Sequence, residues 1–225
     1  MPGDSQMAYG IGTDAQYKRG VLFLDDMEYA TPYVVTGTGA DFSCDVQAAA
    51  KCFGIKGLRL ATRTTNPAED DIVTAAIQIC YPETNKMVCR MRVGITDVSD
   101  TKDFQVALTV KDGANEYKAA IKYDQEVQKL YYWGSAGSWV EISGYAFTIS
   151  DTFWSILEFS IDLGSHEYLS VLYEGVETSL ADVAIQTVGV STDRSVLLEL
   201  VDTALTNQIS YVFVDSLYVG EFSEL

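Results

Sequence analysis

Residues 153–163 of this chain read FWSILEFSIDL, and this stretch decides the fold class. Apolar side chains alternate there with polar ones such as Glu158 and Ser160; the apolar ones are Leu157, Phe159, Ile161 and Leu163. A two-residue period of this length is typical of a β-strand with one face in a core and the other in water. We therefore predict a central strand here, with Leu157, Phe159 and Ile161 buried.

Other strand-like segments follow one another along most of the chain. The longest, QISYVFVDSLYVGE at residues 208–221, closes the sequence, and residues 104–110 are predicted to pair with residues 116–123 across an Asp-Gly turn. Roughly twelve to fourteen short strands, with no convincing amphipathic helix, indicate an all-β antiparallel β-sandwich or a barrel. We predict one domain over residues 19–225, preceded by a polar, glycine-containing extended arm at residues 1–18.

The cysteines match no Cys-x-x-Cys metal or redox spacing; they are Cys44, Cys52, Cys80 and Cys89. Free, mostly buried thiols are the expectation. Cys80 and Cys89 lie in two predicted strands, residues 72–81 and 86–96, which a proline-containing turn would join. These two cysteines could therefore be cross-strand neighbours, and a disulfide between them stays open as an alternative.

The charge balance is strongly acidic, with 32 Asp and Glu against 15 Lys and Arg, or a formal net charge of −17. Such a field repels a phosphate backbone, and the chain has no basic stripe, so nucleic-acid binding is not expected. No apolar run approaches the roughly 18 residues of a membrane-spanning helix. The N-terminal residues MPGDSQMAYG lack the basic start and apolar stretch of a secretory signal. We expect a protein made in the cytoplasm, without membrane insertion.

Four segments, in chain order, resemble the concanavalin-A-like lectin and glucanase jelly rolls. They are LDDMEY (24–29), GIKGLRL (54–60), FWSILEFSID (153–162) with YLSVLYEG (168–175), and YVFVDSLYV (211–219). The resemblance implies an antiparallel β-sandwich of jelly-roll type, with the first strand near the last. Such domains occur as sugar-binding modules, as glycosidases, and as adhesive or structural parts of virions, so the resemblance supports the fold more than any one function.

Catalytic residue patterns are missing from the sequence. Jelly-roll glucanases of this class carry a strand motif of the type E-x-D-x-x-E, which this chain lacks, and we interpret Glu158 and Asp162 as a solvated strand face. The single histidine, His166, lies in a turn between two predicted strands, which favours neither a Ser-His-Asp triad nor a zinc site. We therefore expect no enzymatic activity and no cofactor apart from a possible structural calcium.

A calcium site is the one metal site that the sequence suggests. Asp25, Asp26 and Glu28 belong to the first predicted strand and Asp215 to the last, so three or four carboxylates could converge if the two strands are adjacent. Ca²⁺ takes about six to eight oxygen ligands, and some sugar-binding jelly rolls hold a structural calcium in a comparable place. The alternative is that these carboxylates are solvent-facing edge residues.

Aromatic residues flank the GSAGS turn at residues 134–138; they are Tyr131, Tyr132, Trp133 and Trp139. Their rings could stack on sugars or anchor a protein interface, or alternate members could fill the core. We take Tyr132 and Trp139 as candidate partner-binding residues, together with Tyr9 and Tyr17 of the arm.

Two functional hypotheses follow. The first is a non-enzymatic, homo-oligomeric virion protein, such as a phage capsid decoration or capsid-stabilising protein on the capsid surface, whose arm takes part in assembly with other capsid proteins. It rests on the acidic exterior, the polar arm and the missing catalytic residues. The alternative is a carbohydrate-binding module, supported by the resemblance and the aromatic cluster. A jelly-roll glycosidase is a more distant third.

Overall fold

The computed structural model describes residues 21–27, 32–50, 52, 56–95, 99–143 and 154–221. The arm of residues 1–18, with Tyr9 and Tyr17, lies outside these ranges. The described residues form sixteen β-strands and one short 3₁₀ helix, Ala48–Ala50. Within the same ranges, no helix is long and apolar enough to cross a membrane.

The strands, numbered in chain order, form two antiparallel sheets packed face to face. Sheet A contains β1 (Val21–Asp25), β3 (Ser43–Gln47), β4 (Gly57–Ala61), β6 (Lys86–Ile95), β11 (Ser155–Asp162), β12 (Glu167–Tyr173), β13 (Val176–Ala184) and β16 (Tyr211–Glu221). Sheet B contains β2 (Val34–Gly37), β5 (Ile72–Ile79), β7 (Thr101–Asp112), β8 (Asn115–Asp124), β9 (Lys129–Trp133), β10 (Trp139–Glu141), β14 (Gln186–Val190) and β15 (Arg194–Ala204). This is the two-sheet jelly roll that the sequence predicts.

The strand order explains where the core lies. Sheet A runs β13-β12-β11-β6-β16-β4-β3, and sheet B runs β10-β9-β8-β7-β15-β5-β2. On the inner face of β11, Leu157, Phe159 and Ile161 are 2%, 1% and 0% exposed, which confirms the predicted register. Inner-face residues of β7 in sheet B, such as Val106 and Leu108, belong to the same core.

The predicted β7–β8 hairpin is confirmed, and the side chain of Asp112 stabilises its turn. Asp112 Oδ1 accepts hydrogen bonds from the amides of Ala114 at 2.8 Å and Asn115 at 2.7 Å. Gly113 has φ +95°, a backbone conformation that favours glycine. The hairpin thereby fixes which side chains of β8 face outward.

The predicted pairing of residues 72–81 with residues 86–96 is wrong. Both segments are strands, but β5 lies in sheet B and β6 in sheet A, because the intervening residues carry the chain from one sheet to the other. Cys80 is exposed, Cys89 is buried in the core, and all four cysteines are free thiols. The two cysteines are therefore not cross-strand neighbours.

Three strands that the sequence did not indicate complete the sheets: β2, β13 and β14. β2 and β13 are the outermost strands of their sheets, and β14 pairs with one half of β8 only. Most of their side chains are exposed or half-buried, so their sequences lack a regular apolar period.

Candidate binding face on sheet B

Alternation along β8, β9 and β10 places a set of polar and aromatic side chains on the outer face of sheet B. On β8, Tyr117, Ala119, Ile121 and Tyr123 belong to the core, so the intervening lysines point outward. On the next two strands, Trp139 pairs with Trp133 and Glu141 with Tyr131, which aligns these side chains on one side. We call this surface the aromatic face, and it comprises Lys118, Lys122, Tyr131, Trp133, Trp139 and Gln186.

The rings of the aromatic face contact each other and the two lysines. The ring centroids of Trp133 and Trp139 lie 4.9 Å apart, with planes inclined by 72°. Lys122 Nζ lies 4.9 Å from the centroid of Tyr131 and 5.3 Å from that of Trp139, while Lys118 Nζ lies 5.5 Å from that of Trp133. These distances are those of cation–π pairs. All three aromatic residues are half-buried, so each leaves part of its side chain accessible.

Gln186 holds the β9–β10 turn against β14. Its Oε1 accepts a hydrogen bond from the indole N–H of Trp133 at 2.5 Å. On the turn itself, Gly137 has φ +74°, and a Cβ at this position would be 2.7 Å from Gln186 Nε2. The turn is closed by a hydrogen bond from the Gly134 amide to the Ser138 carbonyl at 2.9 Å. The backbone angle favours glycine at residue 137, and a larger residue would also displace the Gln186 amide.

Tyr168, from the opposite sheet, supports the aromatic face from inside. β8 pairs with β14 up to Lys118 and with β9 from Ile121, which leaves the backbone of Ala120 unpaired on that edge. The buried Tyr168 hydroxyl accepts a hydrogen bond from the Ala120 amide at 2.9 Å and lies 3.0 Å from the Trp133 carbonyl. Burial raises the pKa of Tyr168, so the hydroxyl keeps its proton at neutral pH.

Two of the lysines around the aromatic face are paired with carboxylates and one is not. Lys122 Nζ lies 3.4 Å from Asp124, and Lys129 Nζ lies 2.8 Å from Glu141, a hydrogen bond that raises the pKa of Lys129. Among the residues that the structure describes, Lys118 has no carboxylate within 4 Å. Lys118 is therefore the lysine of this surface whose ammonium group makes no ion pair among the described residues.

A pair of carboxylates lies at one end of the same sheet. Asp103 on β7 is directly opposite Asp124 on β8. Asp103 accepts hydrogen bonds from Gln105 Nε2 at 2.8 Å and Thr203 Oγ1 at 3.2 Å, is 7% exposed, and has its pKa raised mainly by burial. These contacts tie Asp103 to its own sheet, so it supports the face and is poorly placed to contact a ligand.

The predicted site residues are only partly brought together. Trp139 belongs to the aromatic face, but Tyr132 points the other way, packing against the core with its ring centroid 5.6 Å from that of Tyr168. Tyr131 and Trp133, which precede and follow it, take the outer positions. Lys118 and Lys122 are not among the predicted site residues, although their alternation with the apolar residues of β8 marks them as outward-facing. No local signal could have revealed Gln186, because it lies far from Trp133 in the sequence.

The calcium prediction rested on adjacent first and last strands, and β1 does pair with β16, Asp25 lying opposite Leu217. However, the structure does not bring the carboxylates together. Asp25 shares the inner face with Leu217, accepts hydrogen bonds from the Met27 amide and the Tyr33 hydroxyl, and has its pKa raised by burial.

Asp215 lies on the outer face of sheet A, opposite Arg92, where its Oδ2 accepts a hydrogen bond from the Cys52 amide at 2.9 Å. Asp26 follows β1 and is exposed, and Glu28 lies outside the described residues. Among the described residues, no group of three or more His, Cys, Asp or Glu side chains is arranged to hold a metal ion.

Neither a protein-family model nor a curated protein matches the sequence of this chain. Solved structures do match its fold. An endo-β-1,4-glucuronan lyase from Trichoderma reesei has a TM-score of 0.56 at 12% identity, covering 89% of this chain and 95% of its own. Lectin UEA-II complexed with galactose has a TM-score of 0.53 at 10% identity, with 92% and 100% covered.

A carbohydrate esterase from the Shiga toxin-encoding bacteriophage phi24B has a TM-score of 0.51 at 14% identity, with 85% of this chain and 90% of its own covered. At such identities the likeness shows the fold alone. The fold is the concanavalin-A-like β-sandwich jelly roll, as the sequence resemblance implied.

Proposed function

We propose that this chain is a carbohydrate-binding β-sandwich that binds a glycan on the aromatic face without acting on it chemically. The observation that carries the proposal is the cluster of three half-buried aromatic residues, Tyr131, Trp133 and Trp139, on the outer face of one sheet. Aromatic faces stack on the apolar faces of sugar rings, and the flanking ammonium and amide groups supply hydrogen-bond donors and acceptors for hydroxyl groups.

The placement of the rings argues against the alternative that they fill the core. Tyr132 and Leu130 take the inner positions of β9, so Tyr131 and Trp133 are left outside the apolar interior. The hydrogen bonds made by Tyr168 and Gln186 hold the backbone and side chain of Trp133 in place before any ligand arrives. A preformed site reduces the entropy lost on binding.

The fold comparisons support the same class of ligand. By their names, the three proteins above are a lyase of glucuronan, a lectin complexed with galactose and a carbohydrate esterase. A binding role without catalysis is proposed because the carboxylate pair nearest the aromatic face, Asp103 and Asp124, includes one member that is buried and hydrogen-bonded within the sheet.

A panel of immobilised plant, bacterial and animal glycans tests the proposal, with the wild type compared to Trp139→Ala. Loss of a central aromatic anchor costs about 2 kcal/mol or more in a binding site, so Trp139→Ala should weaken binding by about 30-fold. The matched control is Trp154→Ala, which removes an indole that stacks on Phe213 and covers Gly94 on the outer face of sheet A, and which should leave binding unchanged. Absence of any glycan bound at millimolar concentration, or equal loss in both variants, contradicts the proposal.

The capsid-decoration hypothesis stays a prediction. It expects a homo-oligomer that copurifies with virus particles through residues 1–18. Deleting residues 1–18 should then weaken particle attachment and leave the melting of the sandwich nearly unchanged. A monomer that binds no particle would rule the hypothesis out.

A further inference from the structure

Building on the proposed glycan-binding function, we infer that the glycan is anionic and that Lys118 binds its carboxylate or sulfate group. Lys118 Nζ lies 5.5 Å from the ring centroid of Trp133, and no carboxylate of the described residues lies within 4 Å of it. By contrast, Lys102, Lys122 and Lys129 are each paired with a carboxylate.

The aromatic face is much less acidic than the chain as a whole. Around the rings lie the ammonium groups of Lys118, Lys122 and Lys129, and the carboxylates of Asp124, Glu141 and Asp103, which lies opposite Asp124. These charges balance, whereas the formal net charge of the chain is −17. Glu116, the preceding outward residue of β8, lies opposite Gly189 of β14 and makes no ion pair with Lys118.

Desolvation decides between neutral and anionic ligands. A sugar that contacts the Trp133 ring also meets Lys118, because the ammonium group lies over one face of that ring. A neutral sugar would remove water from the ammonium group and offer no charge in return, which is costly. A carboxylate or sulfate oxygen would replace the lost water with a charge-assisted hydrogen bond. Lys122 and Lys129 already have such partners, so Lys118 is the group that an anionic ligand meets.

The alternative is that Lys118 only stabilises Trp133 through its cation–π contact. Two substitutions separate these roles. Lys118→Met keeps an unbranched stem of similar length against Trp133 and removes the charge, while Lys118→Arg keeps the charge. Lys102→Met is the matched control, because it removes a lysine near the end of β7 whose partner is Asp70.

The probes are matched pairs of short oligosaccharides: an oligouronate with its carboxyl-reduced, neutral counterpart, and a sulfated oligosaccharide with its desulfated form. Binding of each is measured by calorimetry on variants that melt like the wild type. We expect the wild type and the Lys102→Met and Lys118→Arg variants to prefer an anionic member by at least about tenfold, and Lys118→Met to bind both members of the pair alike. Added salt should reduce the preference.

Preference for the oligouronate alone identifies a carboxylated glycan, and preference for both anionic probes shows that charge alone is recognised; either supports the inference. Equal binding of neutral and anionic members by the wild type overturns it while leaving the proposed function intact. If Lys118→Met still prefers the anionic oligosaccharides, Lys118 is not the group that binds the anion, and the inference is wrong. If the protein binds neither the four oligosaccharides nor any glycan of the panel, both the proposed function and this inference are wrong.

Discussion

The cationic side chains on the outer faces of the two sheets have different partners. On sheet A the arginines lie beside carboxylates: Arg59 Nε is 3.2 Å from Asp45, Arg90 is 3.7 Å from Glu158, and Arg92 lies opposite Asp215. On sheet B the lysines of the aromatic face lie over rings, and Lys118 has no carboxylate within 4 Å among the described residues. Cations that are already paired with carboxylates gain little from a further anion, so we expect the outer face of sheet A to bind anionic ligands weakly.

Aromatic rings also play different roles on the two faces. On sheet A they cover glycines: a Cβ at Gly94 would lie 3.5 Å from the Trp154 indole, and the Tyr218 phenol covers Gly220. On sheet B the Trp133 and Trp139 rings pack edge to face with each other and against lysines. On sheet A the Tyr211 ring also contacts a cation, Arg59, so the two faces differ in that the charge of Arg59 is paired with Asp45, whereas Lys118 has no carboxylate within 4 Å among the described residues.

The largest effect that we predict concerns a carboxylate that, unlike those of sheet A, has no cationic partner. Asp202 on β15 is completely buried, and its Oδ1 accepts a hydrogen bond from Ser210 Oγ at 2.6 Å. Its Oδ2 has no hydrogen-bond partner among the described residues. Burial raises the pKa of Asp202 to about 8, from 3.8 in the unfolded chain.

Because the folded state holds this proton more tightly than the unfolded state, the contribution of Asp202 to stability falls as pH rises from about 4 to about 8. Asp202→Asn removes the titration and keeps a neutral group beside Ser210. The variant should be more stable than the wild type at pH 9, by on the order of a few kcal/mol, and should differ less at pH 5. Denaturant unfolding from pH 5 to 9 measures this, and parallel pH profiles would contradict it.

The strands with strong alternation were predictable, and those shaped by tertiary contacts were not. β11 could be placed because its inner face is apolar at every second residue, and the β7–β8 hairpin because Asp112 and Gly113 make the turn locally. The exchange of sheets between β5 and β6 is not encoded in either segment, since a strand pattern does not say which sheet the strand joins. Edge strands such as β13 carry little apolar surface, so their sequences lack the period.

The aromatic face shows the same division. The outward direction of Trp139 and the lysines follows from alternation once the register of β8 to β10 is known. Tyr131 and Tyr132 are adjacent and identical in type, so the choice between them depended on a register that the sequence alone did not supply. The contributions of Gln186 and Tyr168 arise from distant strands.

A pair of glycine substitutions sharpens the comparison of the rings. On sheet A, Gly220→Ala would place a methyl group into the Tyr218 phenol, which is 2% exposed and has little room to move. Overpacking of this kind costs about 1–3 kcal/mol. The methyl group added by Gly94→Ala would be at ordinary contact distance from Trp154, so this variant should lose less stability than Gly220→Ala. Equal melting temperatures for the two variants would show that the Tyr218 ring is free to shift, and neither should affect glycan binding.

The smallest predicted effect tests whether the charges of sheet A are as inert as their pairing suggests. Arg59 donates from Nε at 3.2 Å and from a terminal nitrogen at 3.3 Å to the two Asp45 oxygens, and its guanidinium lies 5.4 Å from the centroid of Tyr211. Both side chains are partly exposed, so solvent screens the pair, and such pairs contribute about 0–1 kcal/mol.

Arg59→Met should therefore lower the free energy of unfolding by no more than about 1 kcal/mol and leave the binding of anionic oligosaccharides unchanged. Lys118→Met is its counterpart on sheet B, since each variant removes one positive charge beside an aromatic ring. Calorimetry with the same oligouronate compares them directly. If Arg59→Met lost as much affinity as Lys118→Met, Arg59 would contribute to anion binding in spite of its pairing with Asp45. The proposed difference between the outer face of sheet A and the aromatic face would then be wrong.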